Sequence, residues 1–411
     1  MNTEIKILEK KIEEKTKLDK ELYFNENINM FKITYQYVKH KKLLLYGGNA
    51  LNLSLPEKKQ FYEKFDIPDY DFFSPNAIEN GKELADIYAI KGYKDIELKP
   101  GIHEGTLKLF VNYIAVADIT QVPSKLYKKM FEISKEERPL VLQNNPSLEL
   151  YIAPFNYLRM ALHLELSRPD GFIERWPKIY SRMILFYNTY PVKYDGCKTT
   201  QIFNKETDQI VLQLIYESKQ YFKNKPYPIF GSEIIKMYLK DSGNEIPKDF
   251  IFDENMTAFD IISEDYEKTA EEIAKYLEIT AHITSEKHPS LYNNELIPNH
   301  ILLKYKDRPI IGVYDSQACY AFKKRKKINI ASIDTFVCFM YGWLLSDRKY
   351  YNKDKIKCAI NILLNLQKIY IEKNKLFSPF ELHCYGYQPK LEDLKRKKFT
   401  KTIPFKVYKP K

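Results

Sequence analysis

Apolar residues near the start of the chain recur at helical spacing. Ile5, Leu8 and Ile12 sit among charges, which predicts a helix over 3–24. The run 43–46 is short and continuously apolar, like a strand or a helix end, and leads into Gly47 and Gly48. Ala50, Leu51, Leu53 and Leu55 then predict a short helix that stops at Pro56. Tyr70, Phe72 and Phe73 are strand formers. Residues 82–90 read as helix. GTLKLFV (105–111) and YIAVADIT (113–120) are two β-rich runs with Asn112 between them, a hairpin pattern. Residues 152–166 and 174–188 read as helices. Pro226 and Pro228, after a Lys/Asn-rich stretch, mark a boundary. The basic stretch 389–411 has little periodicity and reads as a tail or an added edge.

At 411 residues the chain is long enough for two or three domains. A hydrophobic fraction of 44% and an aromatic fraction of 14% exclude disorder as the main state. No apolar window reaches the length of a membrane span, and the charged N-terminus does not read as a signal peptide. The five cysteines, Cys197, Cys319, Cys338, Cys358 and Cys384, are widely spaced with no CxxC pair. That predicts reduced thiols in a cytosol-like compartment and no structural zinc. A net charge of +11 tilts toward an anionic partner.

Only 13 glycines occur in the chain, yet two stand together at 47–48. Paired glycines let a backbone approach closely and offer N–H groups to a phosphate at a helix start. Asp69 and Asp71 are two apart, so on a strand they face the same way, with Tyr70 and Phe72 directed to the other side. Two carboxylates that close raise each other's proton affinity unless a cation lies between them. Asp118 closes an otherwise apolar strand, where a lone carboxylate is costly. Three aspartates on neighbouring strands could hold two Mg²⁺ or Mn²⁺ ions for in-line attack on a phosphate. Taken singly, each feature has a plainer reading: a turn, a solvated loop, a cap.

Gly-Gly after an apolar run, Asp-x-Asp on a strand and a third Asp on a later strand resemble the DNA-polymerase-β-like nucleotidyltransferases. YGGNALNLSLP with DIPDYDFFSP is similar, more narrowly, to the poly(A) polymerase catalytic subunits of large nucleocytoplasmic DNA viruses. The likeness is sharpest over 43–120 and continues more loosely through 154–182. It implies an α+β fold: a polymerase-β-like nucleotidyltransferase domain with helical elements, then a degenerate nucleotidyltransferase-like domain. It further implies that Gly47, Gly48 and Asn49 hold the phosphates of an incoming ATP. Asp69, Asp71 and Asp118 would bind the metals, with Asp118 also helping to activate the RNA 3′-hydroxyl.

Later segments echo the first half in the same order. IFGSEIIKMY (229–238) echoes 45–54, and AFDIIS (258–263) echoes 69–74. Residues 301–316 echo the hairpin ending in Asp118, and 331–346 echo 153–167. Ala258 stands where Asp69 stands in the first copy, while Asp260 and Asp315 remain as the expected matches of the other two aspartates. The second copy therefore reads as non-catalytic. The expected division is an N-terminal helix over 1–29, a catalytic domain over 30–200, the degenerate domain over 201–388 and the tail over 389–411.

The resemblance implies a template-independent polynucleotide adenylyltransferase that adds AMP to RNA 3′ ends and releases pyrophosphate. It would act in the host cytoplasm, a viral factory or the virion, as a homodimer or with a separate processivity subunit. A toxin-like nucleotidyltransferase acting on transfer RNA or protein, or a non-catalytic RNA-binding scaffold, are the alternatives. The second copy argues against the first, and the complete set of three aspartates against the second. Arg175, Lys178 and Arg182 form a basic stripe on a predicted helix, suited to a triphosphate or an RNA backbone, or simply a solvated face. The stretch 320–327 sets basic residues next to Tyr320 and Phe322 and suits either RNA or a solvated turn.

Overall fold

A computed structural model describes residues 2–101, 103, 105–137, 150–192, 203–252, 254–292, 296–325, 327–346, 351–372, 380–390, 392–394, 396 and 410. Most of the expected 389–411 tail lies outside these residues. Two compact units emerge, one built on the chain up to Leu158 and the other on Arg159–Lys390.

The first unit opens with helix α1 (Asn2–Lys41), far longer than the periodic stretch predicted at its start. Its early apolar positions Ile5, Leu8 and Ile12 are exposed, whereas Met30, Phe31, Tyr37 and Val38 are buried. The helix stops where Lys42 takes a left-handed conformation, φ 53°, and Leu43 N–H bonds back to the Val38 carbonyl. Then follow β1 (Leu44–Tyr46), α2 (Gly47–Ser54), β2 (Asp71–Ser74), α3 (Ala77–Ile90), β3 (Glu97–Pro100), β4 (Thr106–Val111) and β5 (Ile114–Gln121). Helix α4 (Ser124–Glu136), β6 (Tyr151–Ile152) and the start of α5 (Phe155–Leu166) complete the unit.

Its sheet has strand order β3-β4-β5-β2-β1-β6. Leu98, Leu109 and Ile119 are fully buried on the face covered by α3. Gly81 of α3 permits that contact, because a Cβ there would come within 2.7 Å of Leu98. The β4–β5 hairpin turns over two residues, Asn112 (φ 48°) and Tyr113 (φ 64°), rather than Asn112 alone. Positive φ at both positions is the geometry that matches the twist of a two-residue hairpin.

The second unit contains α6 (Trp176–Thr189), β7 (Asn204–Lys205), α7 (Gln209–Tyr221), β8 (Pro228–Phe230), α8 (Ser232–Asp241), β9 (Phe250–Ile251) and β10 (Phe259–Ser263). Helix α9 (Tyr266–Leu277), β11 (Ile283–His288), β12 (His300–Tyr305), β13 (Arg308–Asp315), β14 (Tyr320–Arg325) and β15 (Ile328–Ala331) follow. Last come α10 (Ile333–Leu345), α11 (Lys353–Glu372) and β16 (Cys384–Tyr385). The large sheet runs β11-β12-β13-β10-β8-β15-β14-β16. Its first six strands repeat the order of the first sheet. They keep the same directions: β8 antiparallel to β10 and parallel to β15, β10 parallel to β13. The repeat is thus carried by topology, and the α+β expectation holds.

The register corrects one expected equivalence. Asp71 pairs with Asp118 in the first sheet, and Asp260 pairs with Gly312 in the second. Asp315 instead lies opposite Ser263, the place that Gln121 takes opposite Ser74. Gly312, not Asp315, therefore stands in for Asp118, and the second copy retains one carboxylate of three.

The cysteines supply a second correction. Cys319 and Cys384 form a disulfide with Cα atoms 5.2 Å apart. Strand β16 pairs with β14, setting Cys384 beside Ala321, so residues 65 apart in sequence become neighbours. Spacing along the chain carried no sign of that pairing. Cys338 is free and buried, and burial pushes its thiol up to about 12.

Candidate active site

Strand β1 ends at Tyr46 in extended conformation, and the chain turns through Gly47, φ +72°, into α2. A Cβ at 47 would overlap the Asp71 carboxylate at its Oδ2. Only glycine combines that φ with that approach. The N-terminus of α2 has no side-chain cap and no acidic residue in its first turn. Its leading N–H groups and helix dipole are of the sign that favours an anion. Gly48 is half-buried and Asn49 buried. Asn52 accepts from the N–H groups of Phe61 (2.8 Å) and Tyr62 (3.0 Å), tying the long loop before β2 to this helix.

Tyr46, Asp71 and Asp118 are register partners across β1, β2 and β5, so their side chains share one face of the sheet. The same face is locked by polar and ring contacts. The Tyr46 hydroxyl bonds Thr120 Oγ1 at 2.7 Å, and Thr106 bonds Thr120 at 3.0 Å. Tyr46 stacks on Phe73 with centroids 4.2 Å apart, and Tyr157 caps Phe73 edge-on. Phe73 is thus buried on the carboxylate face while Phe72 is buried on the other.

Asp69 is not on the strand. Ladder pairing begins at Asp71, and Asp69 is exposed in the segment before it. Pro68 has no N–H to give a neighbouring strand, which favours a late start. Asp118 is held by Lys108, register partner on β4, with Nζ 2.7 Å from Oδ2. The sequence reading missed Lys108, although TLKLFV places a lone charge inside an apolar alternation. Among the described residues, three potential ligand atoms fall within 4.8 Å of one another only at Asp170, Cys319 and Cys384. Those sulfurs are bonded to each other. Asp69, Asp71 and Asp118 do not close to that distance.

The basic stripe belongs to the second unit. Lys178 is exposed and Arg182 half-buried on α6, while Arg175 precedes the helix and pairs with Glu165 at 3.6 Å. The stripe is therefore interrupted by an internal ion pair.

The site-equivalent region of the second sheet is closed. Ser232 N–H bonds the Thr257 carbonyl at 3.2 Å and Glu233 N–H bonds the Ala258 carbonyl at 3.0 Å, so backbone fills the helix start. Asp260 is completely buried, accepts from Thr257 Oγ1 at 2.6 Å and leaves Oδ1 without a partner. That Oδ1 fills the space that a side chain on Gly312 would need. Burial pushes the Asp260 carboxyl up to about 7.

The sequence profile of the family described as poly(A) polymerase catalytic subunit matches residues 32–170, which hold Gly47, Asp71 and Asp118. Over that segment the chain is similar to this family. A poly(A) polymerase catalytic subunit named in Acanthamoeba polyphaga mimivirus is 22% identical over 410 residues, covering 87% of this chain and 67% of that protein. One named in African swine fever virus (isolate Tick/Malawi/Lil 20-1/1983) is 30% identical over 175 residues, covering 41% of this chain and 34% of that protein. The match to the swine fever protein thus spans about a third of that relative. Among solved structures, the Megavirus polyadenylate synthase superposes with a TM-score of 0.78 at 20% identity, covering 97% of this chain and 83% of that one. That likeness carries the poly(A) polymerase fold over both units.

Proposed function

We infer that the chain is a polynucleotide adenylyltransferase that adds AMP from ATP to RNA 3′ ends and releases pyrophosphate. The observation that carries this reading is the pairing of Asp71 with Asp118 beside the Gly47 turn, within the segment that matches the family. The first N–H groups of α2, at Gly48 and Asn49, take the triphosphate. Asp71 and Asp118 present hard oxygen donors on one face, and Asp69, exposed two residues ahead of Asp71, is the third carboxylate of the proposed set. That donor set fits Mg²⁺ or Mn²⁺. Such ions would neutralise charge on the phosphates and sharpen the nucleophile. In this reading Asp118 accepts the proton as the 3′-oxygen attacks the α-phosphorus and the bond to pyrophosphate breaks. Lys178 and Arg182 of α6, in the second unit, are cations suited to the RNA backbone.

The second sheet, closed at its equivalent site, supports a binding rather than chemical role for that half, with 320–327 contributing cations to RNA. Repeated addition calls for a grip on the growing strand, from a second copy of this chain or a separate processivity subunit. The relatives are viral, and among the described residues no helix is long and apolar enough to cross a membrane. We place the reaction in the host cytoplasm.

The test is extension of a labelled RNA with each ribonucleotide in turn, with Mg²⁺ or Mn²⁺. Long tails with ATP, lost in an Asp69→Asn, Asp71→Asn double variant, are expected. Extension that persists in the double variant, or transfer only to transfer RNA or protein, contradicts the reading.

A further inference from the structure

We propose that Lys108 is a positioning residue that holds Asp118 in the nucleotide-free site and competes there with divalent cations. This rests on the reading above.

Lys108 and Asp118 are register partners on adjacent strands, and their charged atoms are 2.7 Å apart. Both side chains are partly shielded, with 34% and 24% exposure, so the pair is less screened than a pair in open water. An ammonium that close occupies one side of the carboxylate oxygen. A divalent ion approaching Asp118 must displace it or share the oxygen against like-charge repulsion. The arriving triphosphate changes the balance, because it offers Lys108 a second anion within reach of its flexible four-carbon stem. Lys108 can then leave Asp118 for phosphate oxygen as metal and nucleotide enter together. Metal occupancy at the general-base position becomes coupled to nucleotide arrival.

Lys99 provides the internal comparison. It is the register partner of Lys108 on β3, but it pairs with Glu97 at 3.1 Å and lies over the Phe110 ring. It is one strand further from Asp118 and contributes charge without the contact.

The experiment is Mn²⁺ titration of the full chain followed by electron paramagnetic resonance, with and without α,β-methylene-ATP. Without nucleotide, Lys108→Met should bind Mn²⁺ about tenfold more tightly than wild type. With the analogue, the difference should shrink to below about threefold. Lys108→Arg should behave as wild type, and Lys99→Met should change affinity by less than about twofold. Lys108→Gln serves as a second variant should the methionine form fail to fold. Affinities for Lys108→Met and Lys108→Gln within about twofold of wild type overturn the inference, as does equal tightening in Lys99→Met. An Asp118→Asn control separates the two levels. Weakened Mn²⁺ binding there upholds the site itself whatever Lys108 does, and unchanged binding overturns the site and the inference together.

Discussion

The carboxylate of Asp71 rests against the backbone of Gly47, in space that any side chain at position 47 would occupy. The turn that starts α2 and the strand that carries the acid are therefore one device. Gly47→Ala must both strain a backbone at φ +72° and push Asp71 aside. The strain alone costs about 1–3 kcal/mol. A displacement of this kind should lower AMP incorporation by about 100-fold. Gly48→Ala, inside the helix, should be the milder change. Steady-state kinetics beside thermal unfolding checks both, and equal effects at the two glycines would contradict the Asp71 contact.

Asp260 makes stability depend on pH. The folded carboxyl keeps its proton up to about 7, because burial disfavours the charged form, whereas the unfolded chain releases it near 3.8. The folded state thus binds the extra proton between those values. Its contribution is complete below about pH 4, falls as pH rises toward 7 and is lost above, by about 4 kcal/mol in all. Asp260→Asn removes the titrating group while keeping an acceptor for Thr257. Urea unfolding of both proteins between pH 5 and 8 should show the variant gaining relative to wild type as pH rises. Parallel pH curves would show that Asp260 does not titrate there.

The Cys319–Cys384 bond closes a loop of 65 residues in the second unit. Loop-closure entropy assigns it about 4 kcal/mol. Cys319→Ser should be destabilised by that order without reductant, and the two proteins should converge when dithiothreitol is present. Persistence of the gap in reductant would mean that packing, not the cross-link, sets the difference.

Much of the first unit was legible because its strands obey period 2 and its glycines break an apolar run. The hairpin, the short helix after Gly47-Gly48 and the repeat all follow from such signals. What stayed hidden depends on register. A bulge in β5 at Val116 moves the pairing by one residue, so that Leu109 meets Ala117 and Lys108 meets Asp118. Counted back from the turn without the bulge, Lys108 would fall opposite Ala117. The match of Asp315 to Asp118 failed for the same reason: residue type was compared where strand pairing decides, and pairing selects Gly312. Asp69 lay off the strand because ladder partners, not propensity, set where β2 begins. The disulfide needed β14 and β16 to be side by side, which no local pattern encodes.

In the proposed function, Asp118 acts on the RNA 3′-hydroxyl beside the Asp71–Gly47 turn. The most direct measurement is single-turnover AMP incorporation by Asp118→Asn, read beside its melting temperature. A rate at least about 1,000-fold below wild type, with unfolding essentially unchanged, is the predicted result. A rate within about tenfold of wild type in a folded Asp118→Asn protein would contradict it.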